Sequence, residues 1–135
     1  MDHLAEMLQT HPHPASSAGD EANACIEAAA ECAHVCTVCA DACLAEGDVS
    51  ALAQCIRLNL DCADICALAS RLIARPSRRD EPTLEAMLQA CARICRACAE
   101  ECDEHAEHME HCRVCAESCR ACADACDRMA AALVP

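Results

Sequence analysis

The chain contains no Trp, Tyr or Phe, and only 2 Gly in 135 residues. Strands draw on aromatic and β-branched residues, and sheets need turn residues between strands. An all-β or doubly wound fold is therefore excluded. The missing aromatics also remove the platforms on which nucleic-acid bases stack. Basic residues are scarce, 10 against 23 acidic ones, for a net charge of −13. A phosphate-binding surface needs the opposite balance, so no nucleic-acid partner is expected. No run of about 18 apolar residues occurs, so no membrane-spanning helix is expected. The opening stretch MDHLAEMLQTHPHPASSAGD has no basic n-region, no apolar h-region and no twin arginine. No export signal is read from it, and a cytoplasmic location is expected. Neither a Ser/His/Asp set nor a phosphate-binding loop is visible, so the expectation is a protein that is not an enzyme.

What the chain does have is cysteine, 17 residues of it, within a length that suits one domain. Such a density ordinarily marks a secreted disulfide scaffold. An odd count leaves one thiol over, and the spacing argues further against it. Cys25, Cys32, Cys36, Cys39 and Cys43 form one cluster; Cys55, Cys62 and Cys66 a second; Cys91, Cys95, Cys98 and Cys102 a third; Cys112, Cys115, Cys119, Cys122 and Cys126 a fourth. Within clusters every interval is 3, 4 or 7, the period of one helix face. At about 100° per residue the first cluster stays within roughly 60° of arc and the fourth drifts over roughly 80°.

The residues between the cysteines, mainly Ala, Glu, Leu, Arg and Gln, are good helix formers. Punctuation falls between clusters. The first long helix is expected from near Asp20, as N-cap, to Gly47. The second runs from Asp48 or Ser50 to Arg75, stopped by Pro76. The third starts near Glu81, with Pro82 in its first turn, and reaches about His105. The fourth runs from about Glu107 to Leu133, the break falling loosely within 104–110. Leu4, Met7 and Leu8 make residues 2–10 a short amphipathic helix, linked on by His11-Pro12-His13-Pro14. The fold expected is all-α: an antiparallel four-helix bundle with a Cys-lined core, plus a short N-terminal helix. The bundle domain is placed at 20–135, and 1–19 is the N-terminal helix and linker. Ile26, Val35, Leu44, Ile56, Leu60, Ile65, Leu68, Leu72, Leu84, Leu88, Ile94 and Val114 flank the stripes. They are expected to form an aliphatic wall around a sulfur lumen, with leftover Leu and Ile free for a subunit interface.

A single buried cysteine is an ordinary small core residue. Seventeen on four stripes are not needed for packing, because Ala or Val would pack as well without redox hazard. Cysteines at i and i+4 have Cβ atoms about 5–6 Å apart, whereas a disulfide wants about 3.8 Å. A metal fits better: with a metal–sulfur bond near 2.3 Å, two sulfurs on one ion stand about 4.6 Å apart. Soft thiolates select Cu(I), zinc or iron–sulfur clusters. Zinc predicts about four tetrahedral ions and discrete Cys-x-x-Cys pairs; iron–sulfur clusters want loops that wrap them. Cu(I) accepts two or three sulfurs, so a stripe can load along its length, and one Cu⁺ per thiolate leaves the lumen neutral. A metallothionein-like zinc buffer and a thiol redox protein are the alternatives. The latter would want an exposed, low-pKa cysteine beside a base.

The combination of CxxxCxxCxxxC on three helices, CIRLNLDCADIC at 55–66 and HAEHMEHCRVCAESC at 105–119 resembles the bacterial copper storage proteins. The likeness covers about residues 20–130. It implies a homotetramer of bundles in the cytosol, each holding many Cu(I) ions, supplied by a copper chaperone or a small-molecule donor. It implies that all seventeen cysteines are ligands. It also implies that a histidine-bearing mouth, matched by His105, His108 and His111, admits the ions, and that Asn59 is the polar residue beside the lumen. The helix with only three cysteines departs from the pattern and implies lower capacity there. The three histidines are spaced by 3 and are expected to share a face beside Cys102 and Cys112, with Met109 near. His34 lies off the stripe and is expected to be exposed, while His3, His11 and His13 are tail residues. Glu27, Glu31, Asp41, Asp64, Glu100, Asp103 and Asp124 read as a solvated face, and Met7, Met87 and Met129 as packing.

Overall fold

The computed structural model describes residues 2–12 and 19–133; His13 and Pro14 lie outside them. Five α-helices follow one another: α1 (Asp2–Gln9), α2 (Gly19–Leu44), α3 (Ala53–Ile73), α4 (Glu81–Asp103) and α5 (Glu110–Leu133), with a 3-10 turn at Val49–Leu52. No strand occurs among the described residues. The expected all-α bundle with a short N-terminal helix is the fold observed.

Each long helix packs on two others: α2 on α3 and α5, α4 on α3 and α5. Short links make neighbours antiparallel, so the four surround a single axis. At 1.5 Å per residue they are roughly 30–40 Å long. The core is the set of four sulfur stripes. Alanine fills the seams beside them: Ala29, Ala69, Ala116 and Ala123 are fully buried, and Ala22, Ala40, Ala92 and Ala99 nearly so. Small side chains let the helices approach until sulfurs meet across the axis.

This revises the aliphatic wall. Ile26, Leu84 and Leu88 are buried, and Val35, Ile56, Ile65, Leu72 and Ile94 pack half-buried against the core. Leu44, Leu60, Leu68 and Val114 are exposed, as are Val38 and Met7. The residues next to the axis had to be small, and the larger ones were displaced outward. Met87 and Met129 are buried, as expected of packing residues.

Helix ends also differ from the sequence reading. Asp20 lies inside the first turn of α2, where its charge favours the helix N-terminus. The helix stops at Leu44, three residues before Gly47, through tightened bonds from Ala45 N–H to Ala42 O and Glu46 N–H to Cys43 O. Gly47 has no positive φ, so the left-handed glycine cap is not used. Asp48 caps the 3-10 turn by accepting from Ala51 N–H. Asp80 caps α4, accepting from the Thr83 amide and hydroxyl, with Pro82 in the first turn. The α4–α5 link needs no Gly or Pro. It runs through successive turn bonds, Glu104 N–H to Glu101 O, His105 N–H to Cys102 O and His108 N–H to His105 O. Exposed ion pairs join α4 to α5, Arg96 with Asp124 and Asp127 and Arg120 with Asp103. Each contributes little to stability.

At the other end of the bundle, Leu4 and Leu8 of α1 pack against the core. His11 bonds to Ser77 in the α3–α4 link, 3.2 Å away. His3 and His34 are exposed, His34 holding the Ala30 carbonyl. The seven acidic residues assigned to a solvated face are all exposed. No described helix is long and apolar enough to cross a membrane.

Candidate metal centre

All seventeen cysteines are buried and unpaired as disulfides. Their sulfurs form a continuous ladder. Cys25 meets Cys126 at 3.7 Å near the α1 end. Cys66 then lies 3.8 Å from Cys91, 3.5 Å from Cys95 and 3.8 Å from Cys122. Cys62 is 3.7 Å from Cys95 and 4.0 Å from Cys119, and Cys32 is 3.8 Å from Cys119. Cys36 lies 3.5 Å from Cys119 and 3.7 Å from Cys115, and Cys55 lies 3.8 Å from Cys102. The contacts from α3 to α5 cross the bundle diagonally, so sulfur fills the axis.

Bond lengths decide what these spacings suit. A metal–sulfur bond near 2.3 Å puts ligand sulfurs about 4.6 Å apart in a linear pair, about 4.0 Å in a trigonal set and about 3.8 Å in a tetrahedral one. The observed 3.5–4.0 Å suits three or four sulfurs around an ion with little movement. Four-sulfur groups are present: Cys32, Cys66, Cys95 and Cys122; Cys32, Cys36, Cys62 and Cys119; Cys36, Cys98, Cys115 and Cys119. Cys32, Cys36 and Cys119 each belong to two of these groups. The groups cannot fill independently: two overlapping groups are occupied together only if their ions share thiolates.

Asn59 is fully buried and is the one buried polar residue described. It stands between Cys55 and Cys62 on the α3 stripe. Its Oδ1 accepts from Cys98 at 3.0 Å, Cys115 at 3.4 Å and Cys102 at 3.7 Å, and its Nδ2 donates to Cys55 at 3.8 Å. These bonds satisfy an amide that would otherwise be costly to bury.

The histidines divide. His111 Nδ1 lies 3.4 Å from Cys39 and 3.7 Å from Cys112, and the ring joins Cys39, Cys43 and Cys112 in a four-ligand group. Its Nε2 meets Glu46 Oε2 at 2.9 Å. His105 bonds instead to Glu101, 3.0 Å away, and His108 is exposed. The helical face expected from their spacing does not form, because residues 104–108 are turn and Met109 is not helical either. Met109 is half-buried against the core. The solvent side of His111 is a groove of about 330 Å³ between α2 and α5, lined by His34, Val35, Val38, Cys39, His111 and Val114. His111 is therefore reached from solvent at the side of the bundle, through this groove.

Proton affinities follow the crowding. Hydrogen bonds from Cys119 lead in pulling Cys62 down to about 6. Those from Cys102 and Cys115 hold Cys39 well below the ordinary thiol range, with His111 adding to the effect. Burial pushes Cys43 up to about 11, and hydrogen bonding among the sulfurs, Cys122 first, raises Cys66 and Cys95. Burial lowers His111, but the Cys39 and Glu46 hydrogen bonds outweigh it and its pKa rises. A buried thiol that loses its proton leaves a charge that is costly in a dry core unless a cation takes the proton's place.

A helical bundle with a sulfur-filled axis and an imidazole at one end defines a class of soft-metal-binding protein. The sequence pattern of the family described as copper storage protein matches residues 18–131, and the chain belongs to that family. The copper storage protein Ccsp from Streptomyces lividans, solved loaded with 10 copper equivalents, is 43% identical with a TM-score of 0.92. That likeness covers 95% of this chain and 98% of the other. The Cu(I)-bound copper storage protein BsCsp3 is 41% identical, covering 82% of this chain and 98% of its own, with a TM-score of 0.73; a copper-free form comes from Bacillus subtilis. A relative described as the uncharacterized cysteine-rich protein YhjQ, from Bacillus subtilis (strain 168), is 43% identical over 90 residues, 67% of this chain and 78% of its own length.

Proposed function

We propose that this chain stores Cu(I) as cargo, binding many ions through the lumen thiolates and catalysing no reaction. The carrying observation is the sharing of Cys32, Cys36 and Cys119 between four-sulfur groups. Shared thiolates suit Cu⁺, which at one ion per thiolate leaves the axis neutral. Zinc held by four unshared thiolates would leave each site doubly negative in a dry core. The proposed ligands are the seventeen cysteines, with His111 at the mouth, His105 and His108 on the adjoining turn, and Asn59 as a polar neighbour within the lumen. Residues 20–135 are the cargo-holding unit, and 1–19 an appended helix and linker.

Three further assignments go with this reading. The location is cytoplasmic, supported by the Streptomyces lividans relative, which is described as cytosolic. The assembly is a homotetramer, supported by the exposed Val38, Leu44, Leu60, Leu68 and Val114. The donor is a copper chaperone or a small-molecule copper complex. The test is anaerobic titration of reduced protein with Cu(I) against a competing chelator, with Zn²⁺ in parallel. Two to three sulfurs per ion, each bridging two ions, give about eleven to seventeen ions for the 17 cysteines. Uptake of more than ten Cu(I) per chain is expected. Saturation near four, with zinc preferred, would overturn the reading.

A further inference from the structure

The His111 ring has one nitrogen facing sulfur and one facing a carboxylate. Nδ1 points to Cys39 and Cys112, and Nε2 to Glu46 Oε2 at 2.9 Å. An ionised carboxylate has no proton to give, so Nε2 must be the donor. In the neutral ring, the lone pair is then on Nδ1, aimed at the sulfurs. Glu46 and His111 are 65 residues apart in sequence. They meet because the α2 helix ends at Leu44 and turns its next residues over the start of α5. Glu46 also touches the ladder through its backbone, its N–H bonding the Cys43 carbonyl at 3.2 Å, while its carboxylate is turned to His111.

Resting on the copper-storage reading, we propose that Glu46 is a positioning residue for copper uptake: it sets the tautomer and the angle of His111 so that Nδ1 captures the arriving ion beside Cys39, Cys43 and Cys112. A carboxylate behind a ligating imidazole fixes ring orientation and raises its basicity as a ligand. The site is suited to capture because Nδ1 faces Cys39 and Cys112 at 3.4 and 3.7 Å while the same ring lines the solvent groove between α2 and α5. From Nδ1 the ion is one ligand exchange from Cys39, 3.4 Å away. His105 has a carboxylate partner as well, Glu101, but four residues away on its own stretch of chain, whereas Glu46 and His111 join two helices.

The test is stopped-flow loading of the full chain from the Cu(I)–bicinchoninate complex, with the endpoint counted in the same run. Glu46→Ala is expected to slow the first phase about tenfold or more while the number of ions at the endpoint and the helix content stay unchanged. Glu46→Gln, whose amide oxygen still accepts from Nε2–H, should lie much nearer wild type. In a His111→Ala background, Glu46→Ala should change nothing further. Long-range ¹H–¹⁵N spectra of the metal-free protein should show the Nε2–H tautomer for His111, identified by its loss in His111→Ala, and a mixture of tautomers in Glu46→Ala. Unchanged loading in Glu46→Ala overturns the proposal. So does a Gln variant as slow as the Ala variant, or further slowing in the His111→Ala background; both would mean that Glu46 acts as a surface charge. If wild type takes up no copper, the storage reading falls, and the tautomer spectra still decide what Glu46 does to the ring.

Discussion

Asn59 interrupts the α3 stripe at the one position where a fourth cysteine would complete it. Cys55, residue 59, Cys62 and Cys66 have the 4, 3, 4 spacing that the third cluster uses throughout. The side chain is fully buried, and its Oδ1 stands 3.0 Å from Cys98 and 3.4 Å from Cys115. A sulfur placed there by Asn59→Cys would join a ladder whose other spacings are 3.5–4.0 Å. The gain follows from sharing. A thiolate that bridges two ions, each with two or three sulfurs, adds between about two-thirds of an ion and one ion per chain. The cost to the metal-free fold is small. The weak bonds to thiols are lost together with the desolvation of the amide, and stability should change by about 1 kcal/mol or less. Native mass spectrometry of the loaded protein resolves single ions and is the appropriate assay. The fully loaded distribution should move up by one ion with helix content unchanged. An unmoved endpoint would refute the reasoning, because residue 59 would then lie outside the cargo space or the thiolates would not be shared.

Replacing His105, His108 and His111 together by Ala should slow copper loading without lowering final capacity. His111→Ala alone should account for most of the slowing, because its ring lies beside Cys39 and Cys112; equal loading curves in stopped-flow would contradict this. Asp80 holds its carboxyl below the usual range through the Thr83 hydroxyl and amide. Its contribution is therefore complete above the unfolded value of about 3.9 and disappears as pH falls through the lower folded value. Asp80→Ala should melt at a lower temperature than wild type at pH 7, and the gap should close as pH drops below about 4; a gap that widens in acid would be contrary to the capping role. Ala116 has no exposed surface between helices that meet closely. Ala116→Leu should cost about 1–3 kcal/mol in chemical denaturation of the metal-free protein, and no loss would mean that the seam is looser than the structure shows.

Helix number and the sulfur lumen were legible in the sequence because the period of 3 and 4 is local: it needs no knowledge of what a helix packs against. Boundaries were less so. Gly47 looked like a cap for α2, yet tight turn bonds close the helix at Leu44 without a left-handed residue. The burial of the aliphatics is hidden from the sequence for a related reason. Leu44, Leu60, Leu68 and Val114 share the hydropathy of core residues, but only small side chains fit where four helices close on sulfur, and alanine occupies those seams. The histidine spacing suggests a common face that depends on helix continuing through 104–109, and that segment is not helical. The pairing of Glu46 with His111 left no local sign. It depends on which helix ends the topology brings together, and 65 residues separate the partners.

X-ray absorption at the copper edge of the fully loaded protein tests the shared-thiolate lumen most directly. The expected first shell is sulfur, two or three atoms at about 2.3 Å, followed by a shell of neighbouring copper from ions bridged by common thiolates. A first shell dominated by nitrogen or oxygen, or sulfur without any copper neighbour, would contradict it.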